Sequence, residues 1–340
     1  MRLARLLAFL VVVGLAACQS EPRDILVWSA TDAEAMDGVL AQFAARNPDL
    51  TVRYTEYNTS ELHAAVLALE TAGPDVERPD VVISSAMDLQ VDLVNRGMAI
   101  PLGIESRGPD WANWRGELYG FTIEPVAMIY NVAAFRDRTL PTSRSELAGM
   151  IRDEPDVFNG RVATYDITRS GVGYMFATQD AVRGYQSTRL VETLGRAGVR
   201  TFCCTGMMID GVATGDLMLA YNVIGSYSLA AAAEDPRVAV HFLSDYTLVF
   251  ARSAFVPHWT RAPHAATRFV AYLVSAAGQA TIAGGSQLLP LAGPGWAEAM
   301  EAGVSQAPVR MSPGLLTFLD KLKKERFLRE WRLTQVQDVP

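Results

Sequence analysis

Cysteine is scarce in this chain, with three in 340 residues: Cys18, Cys203 and Cys204. The adjacent pair fits no C-x-x-C zinc spacing. It reads either as a vicinal disulfide or as two half-buried thiols, and no catalytic role follows from either. Histidine is almost as rare, and His63, His241, His258 and His264 are too scattered to match a metal-ligand spacing. Basic excess is missing too: 30 Lys and Arg face 37 Asp and Glu, a formal charge of -7 that argues against a general nucleic-acid partner. Past Cys18 no apolar run approaches the ~20 residues that span a bilayer. G-x-S-x-G, H-E-x-x-H, Walker A and G-x-G-x-x-G are all lacking, so neither an enzyme nor a cofactor is expected. Glu124 and Asp166 would form an acid–base pair only if the fold brought them together.

What is present begins at the amino terminus. Arg2 and Arg5 precede an apolar run from Leu6 to Gly14, then Leu15-Ala16-Ala17 and Cys18. A basic start, a short apolar core and small residues before a cut read as a secretory signal over residues 1–17. The run is too short to span a membrane. A cysteine at the cut resembles the bacterial lipobox, which implies a lipid on Cys18 and a mature chain held at the periplasmic side of the cell envelope. Residues 18–23 would be the tether. The whole chain is 50% hydrophobic and 20% charged, a globular composition, and the part after the signal is long enough for about two domains.

Strands and helices alternate. Ile25–Trp28 reads as a buried strand ending in Ser29, followed by a helix over 32–46. Thr51–Tyr57 alternates as a strand, and Ser60 is expected to cap a helix to Glu70. Asp80–Ile83 is a strand ending in Ser84-Ser85, before a helix over 87–96. A long apolar stretch, Phe121–Asn131, leads to a second series: a helix at 145–152, a strand at 162–165, a helix opening at Ser170-Gly171 and a strand at 217–221. A strand over 245–250 returns, a helix follows at 263–275, and a closing helix is predicted over 315–333. Such alternation implies βαβ units and a largely parallel sheet in each half, with two long strands crossing between them.

In open α/β sheets ligands sit beyond the carboxyl ends of strands. The candidates there are Ser29, Ser84 and Ser85 in the first half, and Asp166, Arg169, Ser170 and Gly171 in the second. Free backbone N–H groups at a helix start, with the planar fork of Arg169, suit a phosphate or carboxylate. Glu124, Tyr221 and Asn222 complete the candidate lining.

The segments Phe43–Pro48, Asp80–Leu89, Thr122–Asn131, Tyr165–Thr178, Leu219–Tyr227, Asp245–Arg252 and Pro263–Gln279 together resemble bacterial ABC-transporter solute-binding proteins, in the branch of ferric-iron, sugar-phosphate and phosphoglycerate binders. The resemblance implies an α/β, two-lobed type II periplasmic-binding fold with two hinge crossings and an interlobe cleft. The first lobe would hold residues 24–122 and 248–297, and the second 123–247 and 298–340. It also implies a small anionic solute and a cognate permease as partners. One alternative is ferric iron on Tyr221 and Tyr227, although Asn222 stands where iron binders of this branch carry a second tyrosine. Another is a ligand-sensing subunit for a membrane sensor kinase.

If Cys18 carries the anchor, Cys18→Ser should move the protein from the membrane pellet to the soluble fraction. Membrane association unchanged in that variant would refute the lipid.

Overall fold

A computed structural model describes residues 24–291 and 304–335. The signal segment, the tether and Cys18 lie outside the described residues, as do residues 292–303 beside the expected lobe boundary.

Ile25, Leu26 and Val27 are buried on both faces, as a continuous apolar run requires, and they make β1 (Asp24–Ser29) a central strand. Then come α1 (Ala33–Arg46), β2 (Thr51–Glu56), α2 (Thr59–Ala68), β3 (Val81–Ser84), α3 (Met87–Asn95), β4 (Asn113–Trp114) and β5 (Leu118–Gly120). The next run is β6 (Glu124–Asn131), α4 (Arg144–Asp153), α5 (Pro155–Phe158), β7 (Val162–Tyr165), α6 (Gly171–Ala181), α7 (Tyr185–Arg196), β8 (Arg200–Phe202), α8 (Thr205–Thr214), β9 (Leu219–Ile224), α9 (Gly225–Glu234), β10 (Val238–His241) and β11 (Thr247–Phe250). The remainder is β12 (Ser253–Phe255), α10 (Pro263–Val274), α11 (Ala276–Gly285), β13 (Gln306–Pro308) and α12 (Lys321–Gln335).

Two sheets result. The first runs β2-β1-β3-β12-β5-β4, with β1 parallel to β2 and β3 and with β12 antiparallel to β3. The second runs β13-β11-β6-β9-β7-β8, with β10 added on β6. The chain leaves the first sheet between Gly120 and Glu124 and re-enters it between Phe250 and Ser253. These two crossings are bonded to each other. Phe121 N–H donates to the Arg252 carbonyl at 2.9 Å, and Arg252 N–H donates to Thr122 Oγ1 at 2.9 Å. Each sheet buries its own core. In the first, Phe43 of α1 meets the Phe269 ring of α10 edge-on at 4.9 Å. In the second, Leu147, Phe158, Leu190 and Leu194 pack beneath β9. At the β9–α9 junction, Gly225 lies so close to β6 that a Cβ there would meet the Pro125 carbonyl oxygen at 2.5 Å.

Three sequence expectations shift. The helix after β2 is capped by Asn58, whose Oδ1 accepts from Ser60 and Glu61 N–H at 2.9 Å, so Ser60 is already inside it. The expected closing helix is a 3-10 turn, Pro313–Phe318, followed by α12; Asp320 starts the new helix by accepting from Lys323 N–H at 3.1 Å. Strand β9 does not stop at Tyr221. Val223 and Ile224 continue its buried run, which places Tyr221 and Asn222 within the strand rather than at its carboxyl end.

The 313–318 turn packs against α3, bringing the C-terminal segment onto the first lobe. Asp88, in the first turn of α3, is buried with Oδ1 unpartnered among the described residues. Burial pushes its carboxyl up to about 7, against the pull of the Leu89 N–H and of Lys324. A carboxyl raised above its unfolded value favours the fold below about pH 4, and that advantage disappears as pH rises through 7. The swing is roughly 4 kcal/mol. Asp88→Asn should therefore flatten the pH dependence of the urea-unfolding free energy between pH 4 and 8. An equally steep wild-type and variant profile would refute this assignment.

Candidate functional site

Helices follow strands in both sheets, so their N-termini gather at the strands' carboxyl ends. Six of them rim one interlobe cavity of ≈ 320 Å³. Asp32 precedes α1, Asn58 precedes α2, Ser85 lies just ahead of α3, Ser170 precedes α6, Cys204 precedes α8 and Ile224 precedes α9. Three are closed by local side chains. Glu56 Oε2 accepts from Ala33 N–H at 2.8 Å, Asn58 caps α2, and Ser170 Oγ accepts from Gly173 N–H at 3.2 Å. The N-cap residues of α3, α8 and α9 make no such side-chain bond, although in α3 the Asp88 carboxyl engages the Leu89 N–H, so the helix dipoles of these three starts face the cavity with less local capping.

Arg252 forms the cavity floor at the second crossing and is 0% exposed. Its Nε donates to Glu124 Oε1 at 2.6 Å and its Nη1 donates to Thr31 Oγ1 at 3.0 Å. Thr122 Oγ1 and Ser226 Oγ also donate to Glu124, at 2.9 and 2.5 Å. The guanidinium lies 4.6 Å from the centre of the Tyr227 ring. Desolvation works against the Arg252 charge, but Glu124 and Tyr227 outweigh it and hold the group firmly protonated. Burial likewise raises the Tyr227 phenol, so it enters the cavity neutral; its oxygen accepts from Asp32 N–H at 3.3 Å. Ser85 also lines the cavity at 1% exposure, and its hydroxyl has no hydrogen-bond partner among the described residues.

The lobes touch at α6. Thr59 Oγ1, from the first lobe, accepts from Gly171 N–H at 2.8 Å and from Val172 N–H at 3.2 Å. The fit is close: a Cβ on Gly171 would meet Leu89 Cδ1 at 2.6 Å. Opposite, Cys203 and Cys204 are joined as a vicinal disulfide and both line the cavity at the start of α8.

The structure divides the sequence candidates. Ser85 and Ser170 line the interlobe cavity. Ser29 and Ser84 sit behind it, buried, their hydroxyls accepting from Thr31 and Ala86 N–H. Glu124 holds Arg252 from beneath. Gly171 is covered by Thr59. Asp166 is turned onto its own loop, accepting from Thr168 N–H at 2.9 Å, and Arg169 is exposed and outside the cavity lining. Tyr221 and Asn222 belong to a different cavity of ≈ 280 Å³, within the second lobe under α12. There Tyr221 Oη and Asn222 Nδ2 donate to Asp180 Oδ2 at 2.8 and 2.7 Å, and Arg144 pairs with Asp180 at 3.3 Å. Asn222 takes φ 60, in the left-handed region, which places its amide on that carboxylate. Tyr227 lines the interlobe cavity, so Tyr221 and Tyr227 do not share one. Arg252 and Thr59 are not among the sequence candidates, whereas Tyr227, which the sequence offers as a cleft-wall phenol and iron alternative, lines the interlobe cavity. The signal for Arg252 was available: it is one charge inside the apolar run from Val249 to Phe255.

The family of bacterial extracellular solute-binding proteins matches residues 38–299. Among solved structures, the substrate-binding protein of the ABC transporter from Agrobacterium tumefaciens is similar at 31% identity and TM-score 0.86, over 94% of this chain and 96% of that one. Iron-bound HitA from Pseudomonas aeruginosa superposes with TM-score 0.71 at 18% identity, over 93% of this chain and 100% of its own. AfuA from Actinobacillus pleuropneumoniae, solved with fructose-6-phosphate, does so with TM-score 0.71 at 12% identity, over 91% and 98%. Comparison with curated proteins yields no match. The last two structures share the fold with this chain.

The Thr59 bridge has a measurable consequence. Thr59→Val keeps the shape and removes both acceptor contacts to α6. Loss should cost about 1–3 kcal/mol of closed-form stability, raise the radius of gyration in X-ray scattering and lower the melting temperature. Thr59→Ser should retain the compact form. An identical radius for wild type and Thr59→Val would refute the bridge.

Proposed function

Since the chain belongs to the bacterial extracellular solute-binding proteins and is the solute-binding component of an ABC transporter, we propose that its cargo is a small anionic organic solute, a phosphate or carboxylate, held in the interlobe cavity. The observation that carries this reading is Ser85. Ser85 is buried to 1% exposure, its hydroxyl has no protein partner among the described residues, and it stands ahead of α3, whose helix dipole favours negative charge. The open starts of α8 and α9 and the protonated Arg252 support the same sign. The family and its solved relatives are substrate-binding proteins rather than enzymes, and the family places the chain on the periplasmic side of the envelope. The lipid at Cys18 remains our proposal, as does the division into lobes at the two crossings. No observation favours a sensor-kinase partner, and ferric iron loses support because Tyr221 is engaged with Asp180 in another cavity.

Within this reading the anion is held by Ser85, Arg252 and the helix starts, and Arg169 has no part in it. A thermal-shift screen of organic phosphates, mono- to tricarboxylates and ferric salts should yield an organic anion that stabilises by about 2.7 kcal/mol at a hundredfold excess over Kd. Ser85→Ala should then weaken that anion about tenfold, the value of one bond to a charged group, and Arg169→Ala should leave it within twofold. Stabilisation by ferric salts alone would overturn the proposal, as would a large loss in Arg169→Ala with none in Ser85→Ala.

A further inference from the structure

We propose that the solute is a zwitterion, with its cationic group drawn to the acidic mouth that Asp32, Glu56 and Glu61 line. This rests on the anionic reading above and adds a second charge to it. The three carboxylates line the same cavity as Ser85 and Arg252, and all three are exposed, which puts them at its mouth. None forms a salt bridge among the described residues. Glu56 uses one oxygen on Ala33 N–H, whereas the side chains of Asp32 and Glu61 make no hydrogen bond there. The only cation of the lining is Arg252, and its charge is shared between Glu124 beneath it and Asp32, whose carboxylate also acts on the guanidinium. The mouth therefore carries more negative than positive charge, with Glu56 and Glu61 lacking a salt-bridge partner among the described residues.

A purely anionic solute would have to pass and then face these carboxylates at close range. Like charges at ~4 Å repel appreciably even in partly solvated surroundings. The floor points the other way. The unpartnered Ser85 hydroxyl, independently of the acidic residues, marks a polar ligand group there, ahead of the α3 helix start. A small molecule with an anionic end on the floor and an ammonium-type end at the mouth satisfies both. Tyr57, packed on Trp28 at 5.2 Å between centroids, also lines the cavity and offers an aromatic face of the kind that attracts organic cations. A chelated metal fits less well: among the described residues no three acidic, histidine or cysteine side chains converge closely enough to hold an ion. The chemical class is that of amino acids with separated charges and of phosphorylated amines.

The test uses matched sets on the full chain. Calorimetry or thermal shift would compare 4-aminobutyrate with butyrate and butylamine, and phosphoethanolamine with ethyl phosphate and ethanolamine, together with longer homologues of each. We expect one zwitterion to bind at least tenfold more tightly than both of its half-analogues. The double variant Asp32→Asn, Glu61→Gln should cut that advantage to below threefold. Its melting temperature without solute separates misfolding from lost recognition. An anion that binds as tightly as its amine-bearing partner overturns the zwitterion and leaves the anionic reading intact. Binding by amines alone, or by no member of any set, overturns both.

Discussion

The pair between Arg252 and Glu124 is the contact on which the rest depends. Each residue stands at one of the two crossings, and each is fully buried. Thr31 comes from the first lobe, Ser226 from the second, and both bond to the pair. Four pieces of chain distant in sequence thus meet at one ionic centre. Burying two charges is costly, and replacing such pairs by apolar residues is often neutral or stabilising. Stability alone therefore does not explain it. Its position does: a guanidinium kept protonated beneath a cavity contributes field to that cavity, and a carboxylate with four donors fixes its orientation. Removing either partner alone would strand the other charge in a dry interior, at about 3–5 kcal/mol.

From that centre outward the site is assembled by backbone direction more than by side-chain chemistry. Strands in the two sheets deliver their carboxyl ends to one place, so the helix starts arrive together. The sequence then decides which stay open. Asn58 and Ser170 close α2 and α6 from within, Glu56 closes α1, and Thr59 adds a second acceptor to α6 from the other lobe. Ala86, Cys204 and Ile224 give α3, α8 and α9 no N-cap side-chain bond. The pattern of capped and uncapped starts is what separates a lobe contact from a ligand contact. Ser170-Gly171 has the composition of an anion site, yet it serves closure because Thr59 reaches it first.

This distinction explains how far the sequence could be read. Alternating strands and helices, the two crossings and the serines at strand ends follow from local pattern, because turn residues after a buried strand mark a carboxyl end wherever they occur. Ser85 was found on that basis. Arg169 reads as an anion site from the sequence because it stands in a polar loop beside glycines, where an arginine looks available. Availability is a tertiary property: Asp166 and Thr168 fold that loop on itself and leave Arg169 in solvent. Tyr221 and Asn222 went astray for a related reason. Their polarity suggested a strand end, but both are buried mid-strand on an interior acid, Asp180, whose place on α6 no local pattern indicates.

The two arginine centres differ in how completely their surroundings are satisfied. Around Arg144, Asp180 collects Tyr221, Asn222 and Tyr246 as donors, and Asp245 takes a further guanidinium nitrogen at 2.8 Å. Apart from the unpaired Arg144 Nε, each group answers another within the same lobe. Around Arg252 the charge is equally well matched below, but the matching thins at the cavity surface, where Ser85 has no partner and Glu56 and Glu61 have no cation among the described residues. Incomplete satisfaction is costly in an interior and is tolerated where a ligand or water completes it. The imbalance lies on the first lobe's side of the cavity, facing the α8 and α9 starts of the second lobe. Thr59 joins the two sides of that cavity through its contacts to α6.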